Sequence, residues 1–201
     1  MARTVGANGA ATAEHILDVA ERLAQTRGFN GFSYAHIAAE IGITKASLHY
    51  HFPSKADLGR ALVARYAKNF QAATAGILAS GEDALVKLKQ YVLVYRQVLG
   101  ADRMCLCGMF AAEYATLPEQ VQQELRRFFD ENERWLTGVL EEGLRQGALQ
   151  FEGHARDVAG LLTGALEGSM LLARSYGDGT RFNASVEQLL KTLVPRPRAR
   201  A

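Results

Sequence analysis

Apolar residues recur at helical spacing along nearly the whole chain. Ile16, Leu17, Ala20, Leu23 and Ala24 share one face of a helix that starts near Thr12 and stops at Gly28. A second is predicted from Ser33, an N-cap, through Ile37 and Ile41 to Gly42, with Phe32 placed to staple onto Ile37. A third, short helix spans Thr44 to about Phe52, with Thr44 as cap and Ile43 stapled to Leu48. Ser54 and Asp57 form the Asp variant of a capping box at the head of a longer helix ending near Leu78. Beyond Gly81, Leu85, Leu88, Val92 and Tyr95 mark one helix, and a shorter one covers about Met104 to Ala115. Pro118 opens a long helix carrying Val121, Leu125, Phe128, Phe129, Leu136, Val139, Leu140 and Leu144 before Gly147. Two more are expected at about Arg156 to Tyr176 and Asn183 to Leu193. No segment reads as a strand. The expected fold is all-α with about nine helices, a small N-terminal three-helix bundle and a larger C-terminal helical domain. The expected boundaries are a flexible arm over 1–11, a first domain over 12–53, a connecting helix over 54–80, a second domain over 81–194 and a disordered tail over 195–201.

Composition narrows the class. With 201 residues, 48% hydrophobic and 22% charged, the chain can bury a sizeable core, and long disorder is excluded. The longest apolar run, Val158 to Leu166, is interrupted by Glu167 and falls short of the roughly 20 residues that cross a bilayer. The opening residues lack a signal-peptide pattern, so a cytoplasmic location without membrane association is expected. Cys105 and Cys107 are the only cysteines, which excludes a disulfide framework and agrees with a reducing compartment. A net charge of +2 means that any nucleic-acid affinity must come from a local cluster.

Such a cluster exists in KASLHYHFPSKADL, Lys45 to Leu58. Upstream, Ile37 and Ile41 lie one turn apart, Ala38 permits a close helix crossing, Gly42 suits a sharp turn, and Ile43 and Leu48 close a small core. This is the pattern of a helix-turn-helix, whose second helix reads the DNA major groove. Thr44, Lys45, Ser47 and His49 are the candidates to face bases. Tyr50 and Lys55 are the candidates to hold phosphate, and Phe52 is a core plug.

These residues resemble the TetR family of transcriptional repressors. The match runs from Ile16 through Gly28, Phe29, Ile37, Ala38, Gly42, Lys45, Leu48, Tyr50, His51 and Phe52 to Lys55 and Leu58. His49 departs from it, because the family typically has a tyrosine there. The resemblance implies a homodimer on double-stranded DNA at a palindromic operator and a small-molecule effector bound in the C-terminal domain; no cofactor, metal or enzymatic activity is expected. It also implies that the Met104–Ala115 helix borders the ligand cavity, with Cys105, Met109, Phe110 and Glu113 as wall residues and Tyr91, Tyr95, Trp135 and Met170 opposite. Apolar and aromatic types dominate this set, so a mainly hydrophobic effector is expected.

Other features keep more than one reading. Gly160, Gly164 and Gly168 line one stripe of the penultimate helix and suit a dimer seam, a tight intrachain crossing or room for ligand. Glu113 and Glu167 are acids among apolar residues, placed to meet a polar or cationic ligand group or to be satisfied by a tyrosine or arginine. Cys105 and Cys107 fit core or pocket lining, and a thiol-based redox-sensing repressor is the alternative. A thiol hydrolase built on Cys107, His154 and Asp157 is more remote, since no local signature supports it. The arginines of the tail, Arg196, Arg198 and Arg200, serve solubility or add to DNA affinity.

Overall fold

The computed structural model describes residues 2–195, with side chains from residue 9 onward. The helices are α1 (Ala2–Arg27), α2 (Tyr34–Ile41), α3 (Lys45–His51), α4 (Lys55–Ala79), α5 (Ala84–Gly100), α6 (Leu106–Ala112), α7 (Glu119–Gln146), α8 (Ala155–Ser175) and α9 (Thr180–Thr192), with one 3-10 turn at Tyr114–Thr116. The fold is all-α, and among the described residues no helix is long and apolar enough to cross a membrane. At α3 the Ser47 N–H donates to Thr44 Oγ1 at 3.1 Å. At α4 the Ser54 N–H donates to Asp57 Oδ2 at 3.1 Å while the Asp57 N–H donates to Ser54 Oγ at 3.2 Å, the reciprocal box read from the sequence. The Ser54 hydroxyl holds the Asp57 carboxyl below its usual range.

Two boundaries differ from expectation. Helix α1 begins at Ala2, so the arm expected over 1–11 is helical from Ala2 on. Alanines at 2, 7, 10, 11 and 13 offset the low propensity of Gly6 and Gly9. Of the expected tail, residues 196–201 lie outside the described residues. Packing also divides the chain elsewhere than at residue 81. The first compact unit comprises the chain up to Lys68 together with Arg103–Phe128, and the second comprises Asn69–Asp102 with Phe129 onward.

Helix α6, expected in the C-terminal domain, therefore belongs with the helix-turn-helix. The Met104 N–H donates to Gln25 O at 3.1 Å, and the Phe110 ring meets Phe29 edge-on at 5.2 Å. Ile16, Leu23, Ile37, Leu48, Leu58, Leu62, Leu106 and Val121 are buried with them. Gly59 permits this packing, because a Cβ there would lie 2.7 Å from Phe29 Cε2 and 3.1 Å from Val121 Cγ2. Arg65 ties α4 to α1, donating to Asp18 at 2.7 Å, Glu21 at 2.8 Å and Glu14 at 3.2 Å.

In the second unit α8 packs on α9 and α5 packs on α8. Leu88, Tyr91, Leu136, Leu140, Leu166, Met170 and Phe182 form its core. Gly143 marks a close approach, since a Cβ there would sit 2.4 Å from Leu149 Cδ1 and 2.8 Å from Ala84 Cβ. Buried Lys87 is paired with both carboxylate oxygens of Glu142 at 2.9 and 2.8 Å, which satisfies its charge. The ammonium in turn holds the Glu142 carboxyl below its usual range.

Candidate nucleic-acid interface

The turn between α2 and α3 is built on Gly42, whose φ of +77° is open to glycine at little cost. Its N–H and that of Ile43 both donate to Ala38 O, at 3.0 and 3.1 Å, and close the end of α2. Ile37, Ala38 and Leu48 are buried in the crossing, and Phe52 is a core plug as expected. The Tyr34 hydroxyl donates to Phe52 O at 2.8 Å and fixes the exit from α3. Burial, reinforced by the charge of Asp57, pushes the Tyr34 phenol up to about 12, so it remains a neutral donor.

With Leu48 turned inward, α3 presents Lys45, His49 and Tyr50 to solvent, and Tyr50 is 84% exposed. Thr44 is exposed but its Oγ1 is engaged as cap, and Ser47 is half-buried. A groove of about 340 Å3 runs beside this face, lined by Ser33, Tyr34, Ala35, Lys45, His49 and Lys55. His49 packs on the Tyr34 ring at 4.7 Å, and its Nδ1 lies 3.1 Å from Pro53 O. A carbonyl can only accept, so Nδ1 carries the proton in this contact.

Lys55 is placed differently from the phosphate grip expected of it. Its Nζ donates to Phe32 O at 2.6 Å and stands 4.6 Å from the centroids of both Phe29 and Phe32. Burial lowers its pKa, with the charge of Glu113 acting in the opposite direction. One face of the ammonium thus braces the loop before α2, while the side chain still lines the groove.

The end of α6 makes a second set of contacts within the first unit. The Asn30 N–H donates to Glu113 Oε2 at 3.1 Å, and Asn30 Nδ2 donates to Thr116 Oγ1 at 2.7 Å. Gly28, at φ +81°, lets that carboxylate approach, because a Cβ would lie 2.6 Å from Oε1. Glu113, expected in a ligand wall, braces the turn between α1 and α2. Of its expected companions, Phe110 packs on Phe29 and Met109 is half-buried. Cys105 and Cys107 are 1% and 0% exposed, and Cys105 Sγ accepts a hydrogen bond from the Tyr66 hydroxyl at 3.5 Å. Cys107 is fully buried, which shields its thiol from any substrate.

The remaining candidates lie in the second unit. Tyr91 stacks on Trp135 at 5.3 Å and 19°, and Phe70 meets Tyr91 and Tyr95 edge-on at 5.9 and 6.1 Å. The Tyr91 hydroxyl donates to Asn132 Oδ1 at 2.8 Å and lies 3.1 Å from the Tyr95 hydroxyl. Trp135 Nε1 donates to Thr74 O at 3.2 Å, and Met170 is buried. On α8, a Cβ at Gly164 or Gly168 would meet nothing within 4 Å among the described residues, and at Gly160 its nearest neighbour would be Glu133 Oε1 at 3.6 Å. The glycine stripe therefore does not serve a tight intrachain crossing. Leu161, Leu171 and Leu172 flank it on the exposed side.

Sequence reasoning missed His36, whose Nδ1 accepts the Ser33 N–H at 3.2 Å where a Glu or Gln is usual. It also missed the Arg65 clamp, although Glu14, Asp18 and Glu21 form an acidic stripe at helical spacing.

The pattern of bacterial regulatory proteins of the tetR family matches residues 16–62, and that of the tetracyclin repressor-like C-terminal domain matches residues 81–189. The chain belongs to the TetR family. A TetR-family transcriptional regulator from Agrobacterium tumefaciens superposes with a TM-score of 0.90 at 36% identity, covering 93% of this chain and 100% of the other. The nucleoid occlusion factor SlmA of Photobacterium profundum is 28% identical over 163 residues, 78% of this chain and 81% of its own length. The HTH-type transcriptional regulator LmrA of Bacillus subtilis is 26% identical over 189 residues, 89% and 96% of the two chains. As a TetR-family member this protein is a DNA-binding transcriptional regulator and not an enzyme.

Proposed function

We propose that the protein is a homodimeric repressor that reads a palindromic operator through α3 and is released by a small, mainly hydrophobic molecule. The observation that carries the reading is the outer face of α3, where Lys45, His49 and Tyr50 stand exposed around buried Leu48 beside a groove that also holds Lys55. Lys45 and His49 face bases together with Thr44 and Ser47, and Tyr50 holds phosphate. Lys55 reaches phosphate with the donors not engaged at Phe32.

Dimerisation uses the open stripe of α8. Leu161, Gly164, Gly168, Leu171 and Leu172 fall within one side of that helix, and an apolar face of this kind is buried in an assembly. The effector enters the second unit at Tyr91, Tyr95, Trp135 and Met170, where it displaces ring contacts and inserts against the hydroxyls of Tyr91 and Tyr95. Helix α4 then acts as the lever that changes the spacing of the two reading helices. Half-sites of this motif lie about one turn, roughly 34 Å, apart, so a shift of a few Å breaks register.

Selection of duplexes from a random pool by the full-length reduced protein tests this. An inverted repeat bound by two copies is expected. Enrichment of an asymmetric site bound by one copy overturns the dimeric reading, and no enrichment overturns operator reading by the protein alone.

A further inference from the structure

Helix α3 is seven residues long, and Leu48 is its one buried side chain. A helix of that length has little stability of its own. Seated on a single apolar residue, it is also free to roll about its axis unless its ends are held. The roll matters, since side-chain tips stand about 5–6 Å from the axis and a turn of about 10° carries them about 1 Å. A base contact has less room than that, because N–H···O lengths fall between about 2.7 and 3.2 Å. The leading end of α3 is held by backbone, where Gly42 and Ile43 both donate to Ala38 O. At the trailing end the ties to α2 come from side chains. The Tyr34 hydroxyl donates to Phe52 O at 2.8 Å, and Lys55 Nζ donates to Phe32 O at 2.6 Å. Residues 32 and 34 at the head of α2 thus clasp residues 52 and 55 beyond the end of α3. Within the clasp the Tyr34 ring seats the His49 ring at 4.7 Å, while His49 Nδ1 lies 3.1 Å from Pro53 O. Tyr34 therefore touches both the exit of α3 and a side chain assigned to face bases. It is only 9% exposed, and its hydroxyl is engaged at Phe52 O. With its pKa pushed up to about 12, the phenol stays a neutral donor at physiological pH.

We propose that Tyr34 is a specificity-determining positioning residue: without touching DNA, it holds the roll of α3 and the seat of His49 in the setting that matches operator bases. This rests on the operator-reading role proposed for α3. Phosphate contacts do not need that setting, because a charge acts over a screening length of about 8–10 Å. Loss of the Tyr34 hydroxyl therefore lowers affinity for the operator and leaves non-specific affinity in place. The ratio of the two affinities is not moved by partial unfolding, since a smaller folded fraction weakens both alike.

The experiment uses the full-length protein, one duplex enriched by the wild type from a random pool, and a scrambled duplex of the same length and composition. Affinity for each is measured by fluorescence anisotropy over a series of salt concentrations. The proteins compared are the wild type, Tyr34→Phe, which keeps the ring and loses the hydroxyl, and Tyr34→Met, which loses both. Tyr34→Phe is expected to bind the selected duplex at least about tenfold more weakly, the discrimination that one bidentate base contact supplies, and the scrambled duplex within about twofold of the wild type. Its slope of log affinity against log salt on the scrambled duplex should stay at the wild-type value, since no phosphate contact is lost. Tyr34→Met should lower the ratio of the two affinities further, because the seat of His49 goes as well. An unchanged ratio in both variants overturns the proposal. Equal losses on the two duplexes, which mark a stability role, or a lower salt slope, which marks a phosphate role, overturn it as well. Failure of the wild type to enrich any duplex overturns the operator reading itself, and with it this inference.

Discussion

Replacing Gly28 with alanine tests the brace that joins α6 to the helix-turn-helix. Two costs arise. An alanine at φ +81° occupies the left-handed region, at about 1–2 kcal/mol. Its Cβ would also lie 2.6 Å from Glu113 Oε1, which forces the carboxylate off the Asn30 N–H and forfeits an exposed hydrogen bond worth about 1 kcal/mol. The smaller entropy of the unfolded alanine chain offsets about 0.5–1 kcal/mol. The net loss is about 1–2.5 kcal/mol, which for a urea slope near 2 kcal/mol/M moves the midpoint down by about 0.5–1.3 M. The assay is urea unfolding by circular dichroism at one fixed protein concentration, on the wild type, Gly28→Ala, Glu113→Ala and the double variant. In the Glu113→Ala background no carboxylate is displaced, so Gly28→Ala should cost about 1 kcal/mol less there than in the wild type. A coupling below about 0.3 kcal/mol, within the additivity of independent sites, refutes the brace.

Other predictions concern the DNA face, the dimer and the caps. Tyr50→Ala should weaken binding to all duplexes and lower the salt slope, whereas Lys45→Ala should relax the preference at one operator position, a discrimination of about 1–3 kcal/mol, as seen by repeating the selection with each variant. Equal, sequence-blind losses from both would contradict the roles assigned. Gly164→Leu, which meets no intrachain obstacle among the described residues, should leave the fold intact by circular dichroism and dissociate the dimer in sedimentation; a persisting dimer removes that stripe from the interface. Asp57 is held below its usual 3.8 by the Ser54 hydroxyl, so its capping stability is present above that value and is lost as pH falls through the lowered one. Asp57→Asn should therefore lower the thermal midpoint at neutral pH and reduce the difference between neutral and acid midpoints. Peroxide treatment should leave DNA affinity unchanged, because Cys105 and Cys107 are buried; a loss reversed by reductant would favour the thiol-sensing alternative.

The nine helices among the described residues were legible because their punctuation is local. Thr44 and Ser54 cap where they stand, Gly42 turns where a left-handed residue is needed, and the apolar spacing around Ile37 and Leu48 defines one crossing. Exposure of Lys45, His49 and Tyr50 follows from the same periodicity. What stayed hidden depends on residues far apart in sequence. Nothing around Glu113 announces that it meets Asn30, or that Gly28 and Gly59 are shaped for a carboxylate and for Phe29 and Val121. The membership of α6 in the first unit rests on the same long-range packing, and so does the inward turn of Lys55 over two phenylalanine rings. The glycine stripe of α8 carried three readings in sequence, and only the open space beside Gly164 and Gly168 removed the intrachain one.

The most direct test of the central claim, that α3 reads the major groove of a symmetric operator, is methylation interference on a duplex enriched by the protein. Dimethyl sulfate marks guanine N7, which faces the major groove. The account predicts two symmetric clusters of interference about one helical turn apart, with one position in each losing its effect in Lys45→Ala. Binding that is indifferent to guanine methylation, or a single cluster unaffected by Lys45→Ala, would contradict it.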